Sequence, residues 1–352
     1  MPDSRVPFTP TLSPVGRGCE RSERVRGLAE FIAVKAGAQA ASIRDWRELA
    51  GGAVLRHVRL DLELRGGPYA GTQRWVLRAN GATPLGFGMS RAREFALQRA
   101  LFAAGMKVAE PLFMCCDAGI FGAPFYLMRW VEGESDGAAI VAAGRNDALA
   151  EKLGAELARL HGLDLVPRLR FLPPQPEDAA AARIAALARR LAADADPHPV
   201  ADWALRWLAC HQPAPVRPML CHGDYRTGNY RVADRALAAV LDWDFAGWSD
   251  PDEDIAWFCA AAWRFGVADR EAGGIAPREI FYRGYEAAAR RRIDPARVHY
   301  WEVMAALRWL VIALMQRDRF LQQGERALDL ALTGRRVAES EHELLALTGL
   351  GA

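Results

Sequence analysis

Two short polar segments that lie close together in the sequence limit what this chain can fold into. Residues 220–230 read LCHGDYRTGNY, and residues 240–244 read VLDWD. Asn229 lies five residues after Asp224, and Asp242 lies thirteen residues after Asn229. This spacing leaves room for one tight hairpin, so we predict a loop, a hairpin and a second loop that bring the three side chains together.

Asp224, Asn229 and Asp242 carry the side chains that phosphoryl transfer requires. One carboxylate must accept the proton of the acceptor hydroxyl, while an amide and a second carboxylate hold Mg²⁺ against the nucleotide phosphates. Asp224 fits the base, and Asn229 and Asp242 fit the metal ligands. Taken alone, His222-Gly-Asp224 is more often a turn in which the Asp caps an amide, so the prediction depends on the ordered set.

The motifs around these residues resemble the aminoglycoside phosphotransferase and choline kinase superfamily. They are H-G-D-x-x-x-G-N at 222–229, L-D-W at 241–243 and D-P-x-x-D-I-A at 250–256. Within the superfamily, the chain is most similar to the bacterial branch related to the phosphotransferase domain that accompanies acyl-CoA dehydrogenases. W-V-L-R at 75–78 and F-Y-L-M at 125–128 are further matches. The resemblance covers roughly residues 40 to 345.

The resemblance implies an α+β, bilobal, protein-kinase-like fold. A small lobe would contain an antiparallel sheet with one main helix, and a larger lobe would be mainly helical. The implied cofactors are ATP and Mg²⁺. His222 and Asp254 are implied to support the catalytic loop, although Asp250 and Asp254 also fit carboxylates at a helix N-terminus.

Composition and hydrophobic periodicity predict the same division of the chain. We interpret residues 1–20 as a flexible arm, 21–130 as the nucleotide-binding lobe, 131–134 as a hinge and 135–352 as the catalytic and acceptor-binding lobe. The small lobe is predicted to hold three strands between residues 43 and 78, a helix over 91–102, and strands over 111–116 and 124–130. The long predicted helices of the large lobe cover 147–163, 178–193, 199–210, 277–291, 295–316 and 325–347.

The nucleotide side departs from the superfamily pattern. Gly51 and Gly52 lie between two strands, where backbone amides can approach phosphates, although such a pair is more often a plain hairpin turn. Arg78 occupies the position of the usual Lys that pairs with a helix Glu, here Glu94. An arginine there keeps the charge and changes the geometry, or it simply faces water. By resemblance, the adenine contacts the main chain of the linker residues Met128, Arg129, Trp130 and Val131.

Arg226 lies two residues after the predicted base. Its guanidinium would neutralise the transferred phosphoryl group or grip an anionic acceptor, or it forms a structural ion pair. Between residues 264 and 297, eight arginines outnumber five acids. Polycationic aminoglycosides favour an acidic cleft, so this excess argues slightly for a neutral or anionic acceptor. A solvated helix face is the alternative.

Net charge, apolar runs and cysteine spacing predict the cellular compartment of the protein and the kind of partner that it binds. A net charge of +2 gives no argument for nucleic acid or membrane binding. The N-terminus lacks the apolar segment of a signal peptide, and the six cysteines show no C-x-x-C spacing. We expect a cytoplasmic protein, monomeric or homodimeric, whose partner is a small hydroxylated acceptor.

These patterns predict a Mg²⁺-dependent small-molecule kinase that transfers the γ-phosphoryl group of ATP to a hydroxyl of a sugar, amino alcohol or hydroxyacyl metabolite. Asp224 and Arg226 would be the catalytic residues. Arg78 and the altered glycine loop leave open a catalytically impaired, pseudokinase-like scaffold, and the family leaves open an aminoglycoside-modifying resistance enzyme. A metallohydrolase built on His222 and Asp224 is a poor alternative, because too few histidines lie near the acids.

Overall fold

The computed structural model describes most of the chain, namely residues 14–49, 55–80 and 88–350. The chain divides into two compact units. The first contains Met1–Pro84 and Leu112–Trp130, and the second contains Leu85–Pro111 and Val131–Ala352. The predicted phosphate loop at Gly51 and Gly52 lies outside the described residues.

The described residues form strands and helices in the following order along the chain. The strands are β1 (Ala40–Glu48), β2 (Leu55–Arg65), β3 (Gly71–Asn80), β4 (Pro111–Cys115), β5 (Phe125–Arg129), β6 (Met219–Cys221), β7 (Tyr230–Ala233), β8 (Ala236–Val240) and β9 (Gly247–Ser249). The α-helices are α1 (Pro14–Ala36), α2 (Arg91–Ala103), α3 (Ala118–Phe121), α4 (Gly137–Ala142), α5 (Asp147–His161), α6 (Ala179–Leu191), α7 (Pro199–Cys210), α8 (Pro251–Cys259), α9 (Arg278–Ala289), α10 (Pro295–Leu321), α11 (Leu328–Gly334) and α12 (Val337–Leu347).

The first unit is built on a five-stranded sheet in the order β1-β2-β3-β5-β4. Its first three strands are antiparallel neighbours, and β5 pairs with β3 in the same sense. Alternate residues of β2, including Leu60 and Leu62, are buried in one core with Leu28 and Ile32 of α1. The period of two in β2 therefore gives the sheet one buried face. The predicted antiparallel sheet and α+β class are confirmed.

Helix α1 extends into an interval that the sequence predicted to be a flexible arm. It begins at Pro14, so the interval predicted as a flexible arm, residues 1–20, overlaps its first turns. Proline is favoured in the first turn of a helix, because its missing N–H is one that would lack a helical partner anyway.

The second unit is mainly helical and also contains α2, which the sequence assigned to the nucleotide-binding lobe. The backbone N–H of Met89, just before α2, donates to the carbonyl of Asp244 over 3.2 Å. Gln98 of α2 donates to the carbonyl of Ala109 over 2.8 Å. The apolar side chains of α2, among them Leu97, lie in the core of the second unit.

The predicted helix over residues 325–347 is wrong in one respect, because two helices, α11 and α12, occupy this interval. Gly334 ends α11 where the chain approaches α10. A Cβ on Gly334 would lie 2.9 Å from the Cα of Arg317, which is closer than real Cβ contacts. Gly334 therefore permits a tertiary contact at the break, which the helical period did not reveal.

Helix α10 is the one helix among the described residues that is long and apolar enough to cross a membrane by length and composition alone. Within its most apolar window, however, 67% is buried inside the protein. Val303, Leu307 and Leu310 are among its fully buried residues. Packing in the core of the second unit accounts for its apolar character.

Candidate active site

A tight hairpin in the second unit joins the two predicted loops. Strands β7 and β8 pair in an antiparallel sense around Asp234 and Arg235, whose φ angles are 48° and 61°. Two consecutive positive φ angles characterise the turn that matches the twist of a hairpin. Beyond the hairpin, the backbone N–H of Leu241 donates to the carbonyl of Asn229 over 2.8 Å. Asp242 therefore follows directly after a residue that is bonded to Asn229, and the predicted hairpin is present.

Asp224 and Asn229 are in direct contact. Asn229 donates from Nδ2 to Oδ2 of Asp224 over 2.6 Å and to its main-chain carbonyl over 2.9 Å. Both residues are buried. Because the nitrogen end of the amide faces Asp224, the Oδ1 end remains as a hard oxygen ligand for a cation.

Two further side chains hold the carboxylate of Asp224. Trp257 donates from Nε1 to Oδ1 over 2.7 Å, and Arg226 donates from Nε to Oδ2 over 3.2 Å. The Arg226 guanidinium also lies over the ring of Trp263, 4.5 Å from its centroid. The structure therefore places Arg226 in an ion pair with the predicted base, with its side chain partly exposed. Sequence reasoning missed Trp257, although it follows Asp254 by three residues, a helical spacing.

His222 connects the two loops through both nitrogens of its ring. Nδ1 accepts from the backbone N–H of Asp224 over 3.2 Å, and Nε2 lies 2.9 Å from the carbonyl of Leu241. This pattern corresponds to a neutral ring with the proton on Nε2. Burial lowers the pKa of His222, although the neighbouring Asp254 and Asp224 oppose this shift. With both nitrogens engaged, His222 does not offer a metal ligand, which argues against the metallohydrolase.

Asp254 fixes the backbone of the loop that carries Asp224. Its carboxylate accepts from the backbone N–H groups of His222, over 2.6 Å, and of Gly223, over 2.9 Å. His161 approaches the same carboxylate over 3.2 Å. Burial would raise the pKa of Asp254, but the hydrogen bond from His161 and the neighbouring groups outweigh burial, so its pKa is lowered. Asp250 instead caps α8, where it accepts from the backbone N–H of Asp252 over 2.9 Å.

Gly223 is required where the two loops meet. Its φ of +76° is unfavourable for other residues, and a Cβ there would lie 2.2 Å from the carbonyl oxygen of Phe245. The glycine of the H-G-D motif therefore permits the close approach of the loop that carries Asp224 to the loop that carries Asp242.

Asp242 has an unusual backbone conformation. Its φ is +61°, a left-handed conformation that is uncommon for residues other than glycine, and its side chain is half-buried. Strained residues of this kind cluster at functional sites. Asn229 and Asp242 together supply an amide and a carboxylate oxygen, which suit Mg²⁺ and not a soft metal. The residues present therefore fit the expected ion.

An ion-pair chain that the sequence did not reveal connects α2 to the same loop. Arg91, in the first turn of α2, pairs with Glu94 and with Asp244, and the side chains of all three are buried. The N–H of Met89 also donates to Oδ1 of Asp244 over 3.0 Å. Asp244 lies two residues after Asp242, so this chain of ion pairs anchors the loop that carries Asp242 to α2. No spacing rule connects residue 91 with residue 244, which are distant in sequence.

Arg78 lies on β3 of the first unit, and Glu94 belongs to the second unit. Arg78 is only 4% exposed, and its Nη1 is 2.5 Å from Nε2 of His57. The interpretation of an arginine that simply faces water is therefore wrong. Pairing of Arg78 with Glu94 stays a prediction, and so do the adenine contacts of the linker. Of the linker residues, Met128 and Arg129 end β5, and the N–H of Trp130 donates to the carbonyl of Arg74.

The local excess of arginine between residues 264 and 297 does not describe an acceptor cleft. Most of these arginines pair with acids, several from outside the interval. The pairs are Arg264–Glu271, Arg278–Glu271, Arg278–Glu302, Arg283–Glu151, Arg291–Asp252, Arg292–Glu286 and Arg297–Asp250. The excess therefore gives no argument about the charge of the acceptor.

Comparison with known proteins identifies the family. The model of the phosphotransferase enzyme family matches residues 45–301, which is more than half of the chain. The chain belongs to the phosphotransferase enzyme family. It is a phosphotransferase with a protein-kinase-like fold, and the residues of the candidate site and its ion pairs described above lie within the matched interval, apart from Glu302.

The curated relatives are larger proteins. The chain is 30% identical over 175 residues to acyl-CoA dehydrogenase family member 10 of Mus musculus. This match covers 48% of this chain and 16% of that protein. It is 32% identical over 196 residues to acyl-CoA dehydrogenase family member 11 of Gallus gallus. This second match covers 53% of this chain and 25% of that protein. The chain thus matches a quarter or less of the length of these relatives.

Solved structures share the fold over nearly the whole chain. A Ralstonia eutropha protein assigned to the aminoglycoside phosphotransferases has a TM-score of 0.71 at 20% identity, covering 92% of this chain and 98% of that one. Spectinomycin phosphotransferase, solved with ADP and spectinomycin, has a TM-score of 0.63 at 13% identity, covering 90% and 97%. A choline/ethanolamine kinase family protein of Mesorhizobium loti has a TM-score of 0.57 at 19% identity, covering 87% and 92%.

Proposed function

We propose that this phosphotransferase is a Mg²⁺-dependent kinase that transfers the γ-phosphoryl group of ATP to a hydroxyl of a small metabolite. The observation that carries the proposal is the contact of Asp224 with Asn229 at the base of a hairpin whose other end leads to Asp242. A candidate base and two oxygen ligands for a cation are thereby brought to the same end of one hairpin.

In the proposed reaction, the acceptor oxygen attacks the γ-phosphorus in line with the bond to the leaving ADP oxygen. The Asp224 carboxylate accepts the hydroxyl proton, and ADP leaves with the electron pair of the broken bond. No protein nucleophile is needed, since the acceptor attacks directly. Asn229 and Asp242 would hold Mg²⁺, which supplies charge neutralisation at the β- and γ-phosphates.

The position of Arg226 favours an acceptor or a transferred group that carries negative charge. Its Nε is bonded to Asp224 and its Nη1 to the carbonyl of Thr227 over 3.2 Å, whereas its Nη2 has no hydrogen-bond partner among the described residues. A guanidinium next to the base would repel the ammonium groups of a polycationic aminoglycoside. We therefore favour a sugar or hydroxyacyl acceptor over an aminoglycoside or a cationic amino alcohol.

The choice of ATP rests on analogy with related proteins. Spectinomycin phosphotransferase was solved with ADP, and a thermostable variant of an aminoglycoside phosphotransferase was solved with AMP-PNP and hygromycin B. A kanamycin-binding relative was solved with GDP and kanamycin. Adenine nucleotides occur in two of these three complexes. On this basis we propose ATP as the donor, with its adenine against the main chain of residues 128–131 as the family resemblance implies.

A screen for acceptor-dependent ADP release tests the proposed function. The purified protein is incubated with Mg-ATP and with sets of sugars, hydroxyacyl thioesters, amino alcohols and aminoglycosides. We expect release of ADP that depends on both Mg²⁺ and one of the first two classes, with a matching phosphorylated product by mass spectrometry. Release driven only by aminoglycosides would instead support a resistance enzyme.

A nucleotide-binding scaffold without turnover remains the second candidate, because Arg78 replaces the usual lysine. Calorimetric titration with Mg-ATP separates the two functions. Binding without ADP release under any acceptor, and without slow hydrolysis, would support the scaffold and contradict the kinase.

The proposed cytoplasmic location agrees with the cysteines. The five cysteines whose side chains the structure describes are all free thiols, and Cys221 and Cys259 are buried. Reduced thiols are typical of a reducing compartment. Fractionation of cells that express the tagged chain tests this location.

A further inference from the structure

We infer that Trp257 and Arg308 form a positioning pair that sets the orientation of the Asp224 carboxylate for proton transfer. This inference rests on the proposed function of Asp224 as the base. Neither residue would touch the reacting atoms, and both would act through Asp224 and its loop.

Trp257 reaches Asp224 from α8, the helix that also carries Asp254. The two residues are three positions apart, so both side chains lie on the same side of the helix. Asp254 holds the backbone of the catalytic loop, and Trp257 holds its carboxylate, with Nε1 2.7 Å from Oδ1 of Asp224. Its side chain is 2% exposed, so water does not replace this donor.

Burial alone does not explain this hydrogen bond. The indole N–H groups of Trp75, Trp243, Trp263 and Trp301 are also buried, and the structure gives them no hydrogen-bond partner. The fold therefore tolerates buried indoles without a partner. The donor of Trp257 is directed at the carboxylate that the proposed chemistry uses as its base.

Arg308 supports Trp257 and the loop from α10. Its guanidinium carbon lies 4.3 Å from the centroid of the Trp257 ring, and its Nη2 donates to the carbonyl of Gly223 over 2.7 Å. Burial lowers the pKa of Arg308, and the neighbouring Glu253, 3.8 Å from Nη1, opposes this shift. Arg183 in turn holds Glu253 over 2.9 Å. The guanidinium over the ring restricts the movement of the indole.

The two carboxylate oxygens of Asp224 therefore have different hydrogen-bond partners. Oδ1 is held by Trp257, while Oδ2 faces Asn229 and Arg226. Rotation of the carboxylate would break the bond to Trp257, so the indole keeps the same oxygen directed towards Asn229. A base held in one orientation transfers a proton more efficiently than one that rotates.

The first test measures the kinetics of Trp257→Phe, which keeps a ring in place and removes the donor. The matched control is Trp301→Phe, a buried tryptophan of the same unit whose N–H has no hydrogen-bond partner. With Mg-ATP and the acceptor found by the screen, or with water as the acceptor, we expect kcat to fall about tenfold to a hundredfold in Trp257→Phe. KM for ATP should stay within about twofold, because no nucleotide contact is lost.

Arg308→Lys tests the second member of the pair, since it keeps the charge and removes the planar stack. We expect a smaller fall in kcat than in Trp257→Phe. The double variant should lose less than the product of the two single losses, because both changes act on the same carboxylate. Multiplicative losses would show that Arg308 does not act through Trp257.

A second readout does not depend on turnover. The indole N–H signals of ¹⁵N-labelled protein are recorded, and the signal missing in Trp257→Phe is that of Trp257. We expect this signal to shift in Asp224→Ala, while the signal of Trp75 stays in place. An unchanged Trp257 signal would overturn the hydrogen bond and with it the inference.

The outcomes separate this inference from the proposed function. If Asp224→Asn keeps full turnover, the proposed base is wrong. If Asp224→Asn is inactive but Trp257→Phe matches Trp301→Phe in kcat, the base stands and the positioning pair is wrong. A fall in kcat for Trp257→Phe alone supports both.

Discussion

Asn229 donates a hydrogen bond from its side-chain amide to the carboxylate of Asp224 over 2.6 Å. One end of the amide thus orients the candidate base, and the other end is left to bind a cation. The candidate base and the candidate metal ligand are therefore not independent. A change at Asn229 should affect both metal affinity and the chemical step.

Asn229→Ala should weaken the binding of Mg-ATP and lower kcat together. Loss of a metal ligand and of the donor to Asp224 should reduce the apparent affinity for Mg²⁺ by about a hundredfold. Titration of activity with Mg²⁺ at saturating ATP measures this. Asn146→Ala, which removes the N-terminal cap of α5, is the control and should leave the Mg²⁺ requirement unchanged. An unchanged Mg²⁺ requirement in Asn229→Ala would exclude it as a ligand.

His222 should make the folded protein sensitive to mild acid. Its pKa is lowered in the folded state by burial, so folding favours the neutral ring. The stabilisation is fully present above about pH 6.5, the ordinary value, and is lost as the pH falls below it towards the folded pKa. The slope from one such group is at most about 1.4 kcal/mol for each pH unit.

His222→Gln should flatten this part of the stability profile. Urea unfolding at several pH values between about 5 and 7.5 gives the free energy of unfolding for each variant. His342→Gln is the control, because His342 is exposed. A wild-type slope in His222→Gln would mean that another group controls stability in this range.

Asp254→Ala should destabilise the second unit and abolish activity. The change leaves the backbone N–H groups of His222 and Gly223 buried without their acceptor. Loss of a buried charged acceptor of this kind costs about 3–5 kcal/mol. Thermal unfolding measures the loss. Asp252→Ala, on the same helix, should not release the catalytic loop, since Asp252 pairs with Arg291.

Arg91→Met should destabilise the protein far more than Arg93→Met. Arg91 is buried between Glu94 and Asp244, so its removal leaves two buried carboxylates without their partner. We expect a loss of about 3–5 kcal/mol. Arg93, exposed on the same helix, should change stability by less than about 0.5 kcal/mol. Equal stability of the two variants would contradict the anchoring of α2 to the loop.

The sheet and the hairpin were predictable because local patterns specify them. The alternation in β2 predicts a buried face, and the spacing from Asn229 to Asp242 leaves room for one hairpin. The order of Asp224, Asn229 and Asp242 also indicated the family, which the match over residues 45–301 confirms.

Other features depend on contacts between distant residues, and the sequence did not reveal them. Arg91 pairs with Asp244 across 153 positions of sequence, and Arg308 bonds Gly223 across 85. No periodicity records such pairings. The excess of arginine between residues 264 and 297 was misleading for the same reason. Acids outside the interval, such as Glu151 and Asp252, pair with arginines inside it.

The most direct test of the kinase function is the chemical step in Asp224→Asn. This variant keeps the size of the side chain and removes the proton acceptor. Calorimetry should show Mg-ATP binding close to that of the wild type, while transfer to the acceptor should fall by about a hundredfold or more. Full transfer by Asp224→Asn, with nucleotide binding unchanged, would contradict Asp224 as the base and the mechanism built on it.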